Sequence, residues 1–394
     1  MLRPEISFAR DLTEEVARAV RLQEGPEGVA QVVRLVGSSG RLTLKELARA
    51  VHLPVPVLAA MRRELEARGV LARAGGIKLT KLGQDVLLQL GGPWAPAVCP
   101  TCSGTGTIVP ERYQGVLHSL QRLWELRPTV DVRLDQSFAL PASNLRRCLL
   151  ALERGALLGK RVLFLGDDDA GSLAVALLAR ELGSEARITA LDVDPRVLGY
   201  LRAAAEREGL DVQLLEADAR EPLPEAAASA FDTVFTDPPY TLPGLELFLS
   251  RALEATGSST GASIFLSFGG RPPEENVQVL ETLSRMGLAC TELRPGFNRY
   301  EGASVLAGTS DLYSLVVTAR AHASVQGRHE GALYTGELRP RARQYVCRQC
   351  RTAYTVGPGT EWGTIEALKT AGCPRCGSHS FNQKRERREL EGSL

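Results

Sequence analysis

Hydrophobic and polar positions along this 394-residue chain change their period near the middle. From Val162 onward, short apolar runs of strand type alternate with longer stretches whose apolar positions recur at helical spacing. The pattern predicts strands at 162–165, 188–191, 212–215, 233–236 and 262–267. Between and after them it predicts helices at 171–182, 195–208, 222–229, 243–255 and 273–286. Two later strands, near 289–294 and 312–318, have only the loop 295–311 between them, which predicts an antiparallel hairpin. Alternation at this pace implies a mainly parallel, doubly wound α/β sheet.

The earlier residues follow another plan. A helix is expected within 1–27, with Val16, Val20 and Leu22 on its apolar side, and a second at 30–36, stopped by Gly37. Thr43 can cap a helix over 44–51, with Glu46 completing a capping box, and a further helix spans 55–68. Runs at 70–73 and 77–79 around Gly75-Gly76 predict a small hairpin, so three helices and a wing make a winged helix. Its third helix carries Arg62, Arg63 and Arg68 but also Glu64 and Glu66, a weak field for a DNA reader. An interaction or dimerisation domain is the favoured reading, with nucleic acid disfavoured. A Gly/Pro-rich linker at 91–96, a helix at 113–125, a strand around 130–134 and an amphipathic helix at 141–153 lead into the core. Asp135 and Gln136 fit either a lid against a substrate or a solvated turn. The expected domains are 1–92, 93–154, 155–320 and 321–394, with a polar linker at 320–345 and a solvated helix or tail at 383–391.

Seven strands ending in an antiparallel pair are the layout of the class I methyltransferase-like, or Rossmann-like, fold, and such sheets bind ligands at the carboxyl ends of their strands. Here those ends carry acids. Asp192, after the second strand, is placed to accept hydrogen bonds from ribose hydroxyls, and Asp218, after the third, from an adenine amino group. Gly166 opens a turn into Asp167, Asp168 and Asp169, where a glycine-rich loop is expected instead. Three adjacent like charges require a compensating cation, either Mg²⁺ or a polyamine. The fourth strand ends in Asp237-Pro238-Pro239-Tyr240. In such a loop the Asp and the first Pro carbonyl accept from an amine and aim its lone pair at an electrophilic carbon, while the aromatic ring walls the site. A carboxylate beside the amine can also take its proton.

Charge distribution sharpens this picture. The net charge is only +1, yet residues 96–319 hold 20 Lys and Arg against 29 Asp and Glu, between two basic ends. An acidic cleft attracts cations and repels phosphate backbones. No apolar run approaches the roughly 18 residues of a membrane span, and the first residues lack a signal-peptide core, so a cytoplasmic enzyme is expected. Six of eight cysteines form Cys-x-x-Cys pairs. Cys347/Cys350 and Cys373/Cys376 have the spacing of a zinc ribbon, with iron as the alternative metal. Cys99/Cys102 offer two ligands only, so a metal shared with another chain is disfavoured against a redox pair or a merely buried one.

Gly166-Asp167-Asp168-Asp169 and Asp237-Pro238-Pro239-Tyr240-Thr241 also carry a resemblance to a known family. The chain resembles the branched-chain polyamine synthases, the N4-bis(aminopropyl)spermidine synthases of thermophiles, over the winged helix and the whole core. The resemblance implies transfer of aminopropyl groups from decarboxylated S-adenosylmethionine to the N4 nitrogen of spermidine, twice, releasing 5′-methylthioadenosine. More distantly the core is similar to linear aminopropyltransferases. That likeness puts Asp169 on the donor ammonium and makes Asp237, or Asp167, the proton acceptor. Asp167 and Asp168, which replace glycines of the linear pattern, would then serve the acceptor together with Pro238, Tyr240 and Gln136. A homodimer is expected. The competing expectation is an S-adenosylmethionine-dependent DNA or RNA amino-methyltransferase.

Overall fold

The computed structural model describes residues 5–39, 42–73, 75–93, 99, 101–102, 104–301, 308–338, 343–357, 360–363 and 365–384. Residues 94–96 of the linker expected at 91–96, the first residues of the expected N-terminal helix and the tail beyond 384 lie outside them. The chain parts into two compact units between Gly331 and Ala332.

The first unit begins with α1 (Glu5–Val20), α2 (Gly25–Ser39), α3 (Leu44–Ala50) and α4 (Val55–Ala67). The single early helix expected over 1–27 is broken: Arg21 takes a left-handed conformation, and the Leu22 N–H turns back to the Ala17 carbonyl at 2.9 Å. The capping box of α3 is present, since Thr43 Oγ1 accepts from the Glu46 N–H and Glu46 Oε2 from the Thr43 N–H. The antiparallel hairpin β1 (Leu71–Arg73) and β2 (Ile77–Leu79) completes the winged helix, and Leu42 bridges to Ile77. Val16, Val29, Val33, Leu47, Leu58, Met61, Leu65 and Val86 form its core. In this part of the chain one helix was not foreseen, α5 (Lys81–Gln89). Gly83 interrupts its pattern because the helix approaches β1 so closely that a Cβ would sit 2.2 Å from the Val70 carbonyl oxygen.

The path into the core runs through α6 (Gln114–Trp124), a two-residue strand β3 (Phe138–Ala139) and α7 (Pro141–Glu153). The strand expected around 130–134 is instead a 3-10 turn over Val132–Leu134. Asp131 folds it locally by accepting from the Arg133 N–H at 2.9 Å, which competes with strand pairing.

Then come β4 (Arg161–Leu165), α8 (Gly171–Glu181), β5 (Arg187–Asp192), α9 (Pro195–Glu208), β6 (Gln213–Glu216) and β7 (Thr233–Thr236). They are followed by α10 (Leu242–Thr256), β8 (Ser263–Phe268), α11 (Pro273–Arg285), β9 (Leu288–Glu301) and β10 (Thr309–Val317). The expected helix at 222–229 is only a 3-10 turn over Glu225–Ala227, because prolines precede it and Ser229 turns left-handed after it. The sheet order is β3-β9-β10-β8-β7-β4-β5-β6. The strands from β8 to β6 run parallel, while β10 and β9 close the sheet as the antiparallel pair. This is the class I methyltransferase-like order, extended by β3 on the edge of β9. β9 also runs further than expected, so Tyr300 lies on a strand rather than in a loop.

Phe164, Phe235 and Phe265 are paired across β4, β7 and β8 and stack at 4.8 and 4.9 Å, inside the core that packs against α6, α7, α8 and α9. The stretch after β10, expected as a linker from 320, runs back over this unit. The buried Arg251 guanidinium donates to the Gly327 carbonyl at 2.6 Å, and the His329 N–H donates to that of Arg220 at 2.7 Å. The second unit holds a short helix α12 (Thr335–Leu338), strands β11 (Arg343–Cys347), β12 (Ala353–Val356) and β13 (Phe381–Gln383) in a sheet of order β12-β11-β13, and α13 (Ile365–Ala371).

The turn after β4 depends on a glycine. A Cβ on Gly171 would meet Cε1 of the stacked Phe164 at 2.4 Å, whereas one on Gly199, inside α9, meets nothing within 4 Å. Gly171→Ala is therefore expected to cost about 1–3 kcal/mol, and Gly199→Ala to gain up to about 1 kcal/mol. Urea unfolding of the two variants beside the parent checks both signs.

Candidate active site

The register of the parallel strands explains why the acids converge. Leu165 pairs with Leu191 and Thr236, and Asp192 with Glu216, so the residues just past each strand leave the sheet side by side. Gly166, Asp167, Asp168, Asp169, Asp192, Asp218, Asp237, Pro238 and Tyr240 all lie along this edge.

Within the three-acid turn the aspartates have different surroundings. Asp167 is buried, and its carboxylate accepts from the Ser172 N–H at 3.3 Å and from the Ser172 hydroxyl. Its own N–H donates to Asp192 Oδ2 at 2.9 Å. Asp169 is also buried, and it points into the protein. Its Oδ2 takes Arg147 Nη2 at 2.7 Å and its Oδ1 takes the Ala139 N–H, while Asn144 holds its carbonyl. Asp168 is half-buried, and among the described residues no group donates a hydrogen bond to its carboxylate. Asp192 accepts from two backbone amides, those of Asp167 and Asp194. Asp218 is half-buried and accepts from the Arg220 N–H at 2.9 Å.

Gln136 reaches Asp194 Oδ2 at 3.0 Å and accepts from the Asp131 N–H at 2.8 Å, pinning its turn to the start of α9. Both ends of its amide are thus engaged by protein. Asp237, half-buried, accepts from the Tyr300 hydroxyl. The Tyr240 ring meets Phe268 edge-on at 5.5 Å, and its buried hydroxyl has no hydrogen-bond partner among the described residues.

Electrostatics follow from this crowding. Burial first, and the neighbouring carboxylates second, hold Asp168 well above the usual range, and burial likewise raises Asp192. Asp167 is pushed up to about 7 by burial against the pull of Ser172, and Asp237 to about 7 by burial and Asp169. Burial alone would lower the Arg147 guanidinium, but Asp169, Tyr300 and Asp237 outweigh it and keep the charge firmly in place. The edge therefore holds more carboxyl groups than its one buried cation can balance, and Asp167, Asp168, Asp192 and Asp237 respond by holding their protons more tightly.

Arg147, Tyr300, Asn298, Ser267, Ser310 and Ser172 escaped the reading of the sequence. The legible signal was on α7, where Asn144 and Arg147 occupy the same stripe as the buried Cys148 and Ala151. Tyr300 fell in an expected loop. In the second unit the Sγ atoms of Cys347, Cys350, Cys373 and Cys376 lie within 4.8 Å of one another, a donor set that suits a metal ion. Tyr354 Oη stands 3.1 Å from Cys373 Sγ. Among the described residues Cys99 and Cys102 join no such cluster.

The chain is similar to several known proteins. Residues 116–335 match the family described as branched-chain polyamine synthase A C-terminal domain. An N(4)-bis(aminopropyl)spermidine synthase of Thermus thermophilus is 36% identical over 294 residues, covering 74% of this chain and 81% of that protein. A Methanocaldococcus jannaschii protein described as uncharacterized is 34% identical over 388 residues, 96% of this chain and 94% of that one. The crystal structure of the branched-chain polyamine synthase from Thermus thermophilus, in complex with N4-aminopropylspermidine and 5′-methylthioadenosine, superposes with a TM-score of 0.67 at 31% identity. It covers 83% of this chain and 96% of its own.

The raised carboxyls have a consequence for stability. Asp237 titrates near 7 when folded and at 3.8 ordinarily, so the folded form keeps a proton that the unfolded chain has released. Its contribution to stability therefore falls as pH rises between about 4 and about 7. Asp237→Asn should gain on the wild type across that window and show no gain below it. Urea titrations at both ends check this, and a difference independent of pH overturns it.

Proposed function

The chain belongs to the branched-chain polyamine synthase family, and we propose that it transfers aminopropyl groups from decarboxylated S-adenosylmethionine to the N4 nitrogen of spermidine. The products are N4-aminopropylspermidine, then N4-bis(aminopropyl)spermidine, with 5′-methylthioadenosine released each time. The observation that carries this reading is the crowd of carboxyl groups at the strand ends beside a single buried arginine, groups that ionise as cations arrive and so suit a polycationic acceptor beside a cationic sulfonium.

In each transfer the N4 lone pair attacks the aminopropyl carbon bonded to sulfur, and the carbon–sulfur bond breaks with its electron pair left on sulfur. Sulfonium is a good leaving group, so positioning and a neutral nucleophile supply most of the rate. We assign Asp192 and Asp218 to the ribose and adenine of the donor, above the turn at Gly166. Asp237 takes the N4 proton: it is half-buried, one oxygen is fixed by Tyr300, and its pKa near 7 matches the task. Asp167, closed off by Ser172, shapes the turn instead of acting as the base. Asp169 is committed to Arg147, so Asp168 is the better placed acid for an ammonium end of donor or acceptor. Pro238 and Tyr240 wall the acceptor, and Gln136 acts indirectly by holding its turn.

In the second unit the four thiolates would hold zinc as a closed structural site, and such a set suits a reducing cytoplasm. No helix among the described residues is long and apolar enough to cross a membrane. In the winged helix Arg62, Arg68 and Arg73 are engaged by Glu64 and Glu66, which favours pairing of two chains over contact with DNA.

Two experiments test these assignments. Incubation with spermidine and either the decarboxylated donor or S-adenosylmethionine should give mass gains of aminopropyl units from the first only. Methyl gains from the second would favour the amino-methyltransferase reading. Asp237→Asn should lose at least about a hundredfold in kcat while still binding methylthioadenosine, and near-parental turnover removes the base role. Separately, the purified full chain should carry a single tightly bound metal ion in the second unit. Cys347→Ser/Cys373→Ser should lose it by elemental analysis without loss of methylthioadenosine binding.

A further inference from the structure

We infer that Tyr300 is a positioning residue for the transfer, and that Asn298 fixes the direction in which its hydroxyl donates. This rests on the reading of Asp237 as proton acceptor.

The basis is a continuous hydrogen-bonded chain beneath the acidic edge. The Tyr300 hydroxyl donates to Asp237 Oδ2 and lies 2.8 Å from Ser310 Oγ. Asn298 Nδ2 donates to Ser310 Oγ at 3.0 Å and to Ser267 Oγ at 2.9 Å. Ser267 Oγ also accepts Arg147 Nη1 at 3.0 Å, and Arg147 Nη2 closes the run on Asp169. Tyr300, Ser310, Asn298, Ser267 and Arg147 are each no more than 6% exposed, so water does not compete. The chain joins α7, β8, β9, β10 and the loops after β4 and β7 in one circuit, and it links the two acidic motifs.

Its polarity follows from the Asn298 amide, which turns Nδ2 toward both serines and leaves its buried Oδ1 without a partner among the described residues. A hydroxyl has a single proton and an amide nitrogen only donates. With Asn298 supplying a hydrogen to Ser310, the Ser310 proton is free for the Tyr300 oxygen, and the Tyr300 proton is left for Asp237. Both oxygens of this serine–tyrosine relay then have donors and acceptors in order. One oxygen of Asp237 is held by Tyr300, and on the proposed reading the other serves the amine. The relay thus does two things. It orients Asp237, and it favours the ionised form against burial and against the charges that raise it. The groups facing Asp237 are Asp168 and Asp169 from the turn after β4, Arg147 from α7, Tyr300 from β9 and Tyr240 from its own loop. Tyr300 and Arg147 are the two among them, outside its own loop, that favour the carboxylate.

The test compares Tyr300→Phe and Ser310→Ala with the parent. Loss of the Tyr300 donor should lower kcat at neutral pH by about tenfold or more, with KM within about twofold. The acid limb of the kcat profile should move to higher pH by about one unit, because the carboxylate has lost a charge-assisted hydrogen bond. Ser310→Ala should move it the same way by less, and it carries the test alone if Tyr300→Phe no longer binds methylthioadenosine. An unmoved acid limb in variants that still bind methylthioadenosine overturns the inference. A ¹³C-carboxyl NMR titration, with Asp237→Asn to identify the signal, reads the same shift without turnover. If the wild type shows no aminopropyl transfer, the functional reading fails, and the NMR titration still decides whether Tyr300 controls Asp237.

Discussion

The buried Arg147 guanidinium is what lets three consecutive aspartates occupy one turn. It reaches Asp169 at 2.7 Å, touches Asn144 and Ser267, and lies close enough to Asp237 to offset part of its burial. A carboxylate as deeply buried as Asp169 is tolerated only when paired and hydrogen-bonded, and removing such a partner typically costs about 3–5 kcal/mol. With Asp169 committed inward and Asp167 closed by Ser172, the turn has one acid left to present, Asp168. A glycine-rich loop lets a ligand approach backbone. This turn keeps the glycine at its start, where Gly166 has positive φ, and adds charge after it.

The parallel strands, most of the helices of the first unit and the convergence of acids were legible in the sequence because each rests on local chemistry. Thr43 and Glu46 form their capping box, Pro141 begins α7, and the four cysteines of the second unit come within a metal's reach. What escaped depends on contacts remote in sequence. Nothing near Tyr300 announces a strand, because β9 continues past Gly296 only by pairing with β10 and, at its end, with β3. The alanines before Ser229 favour a helix, yet the chain must return to β7, and the Ala230 N–H pairs with the Ala255 carbonyl instead. The individual roles inside the three-acid turn were equally hidden. Sequence supplies three equivalent acids, and only burial distinguishes one that caps, one that anchors and one that faces outward.

The outward charge has a purpose beyond deprotonation. In the proposed reaction the first transfer turns a secondary amine into a tertiary one, and its nitrogen can shed a proton to Asp237 before the next attack. The second transfer makes a quaternary ammonium, whose charge no base can remove. A site with a single well-placed base would serve the first step and leave the second product's charge unanswered in a half-buried pocket. Asp168, held protonation-prone by its neighbours when the site is empty, ionises more readily as cationic groups arrive, so its charge grows with that of the ligand. In the proposed reaction Asp237, tied to Tyr300, would keep its geometry through both steps. On this view the extra acids are the electrostatic requirement of branching at nitrogen, and the buried arginine is the condition for having them.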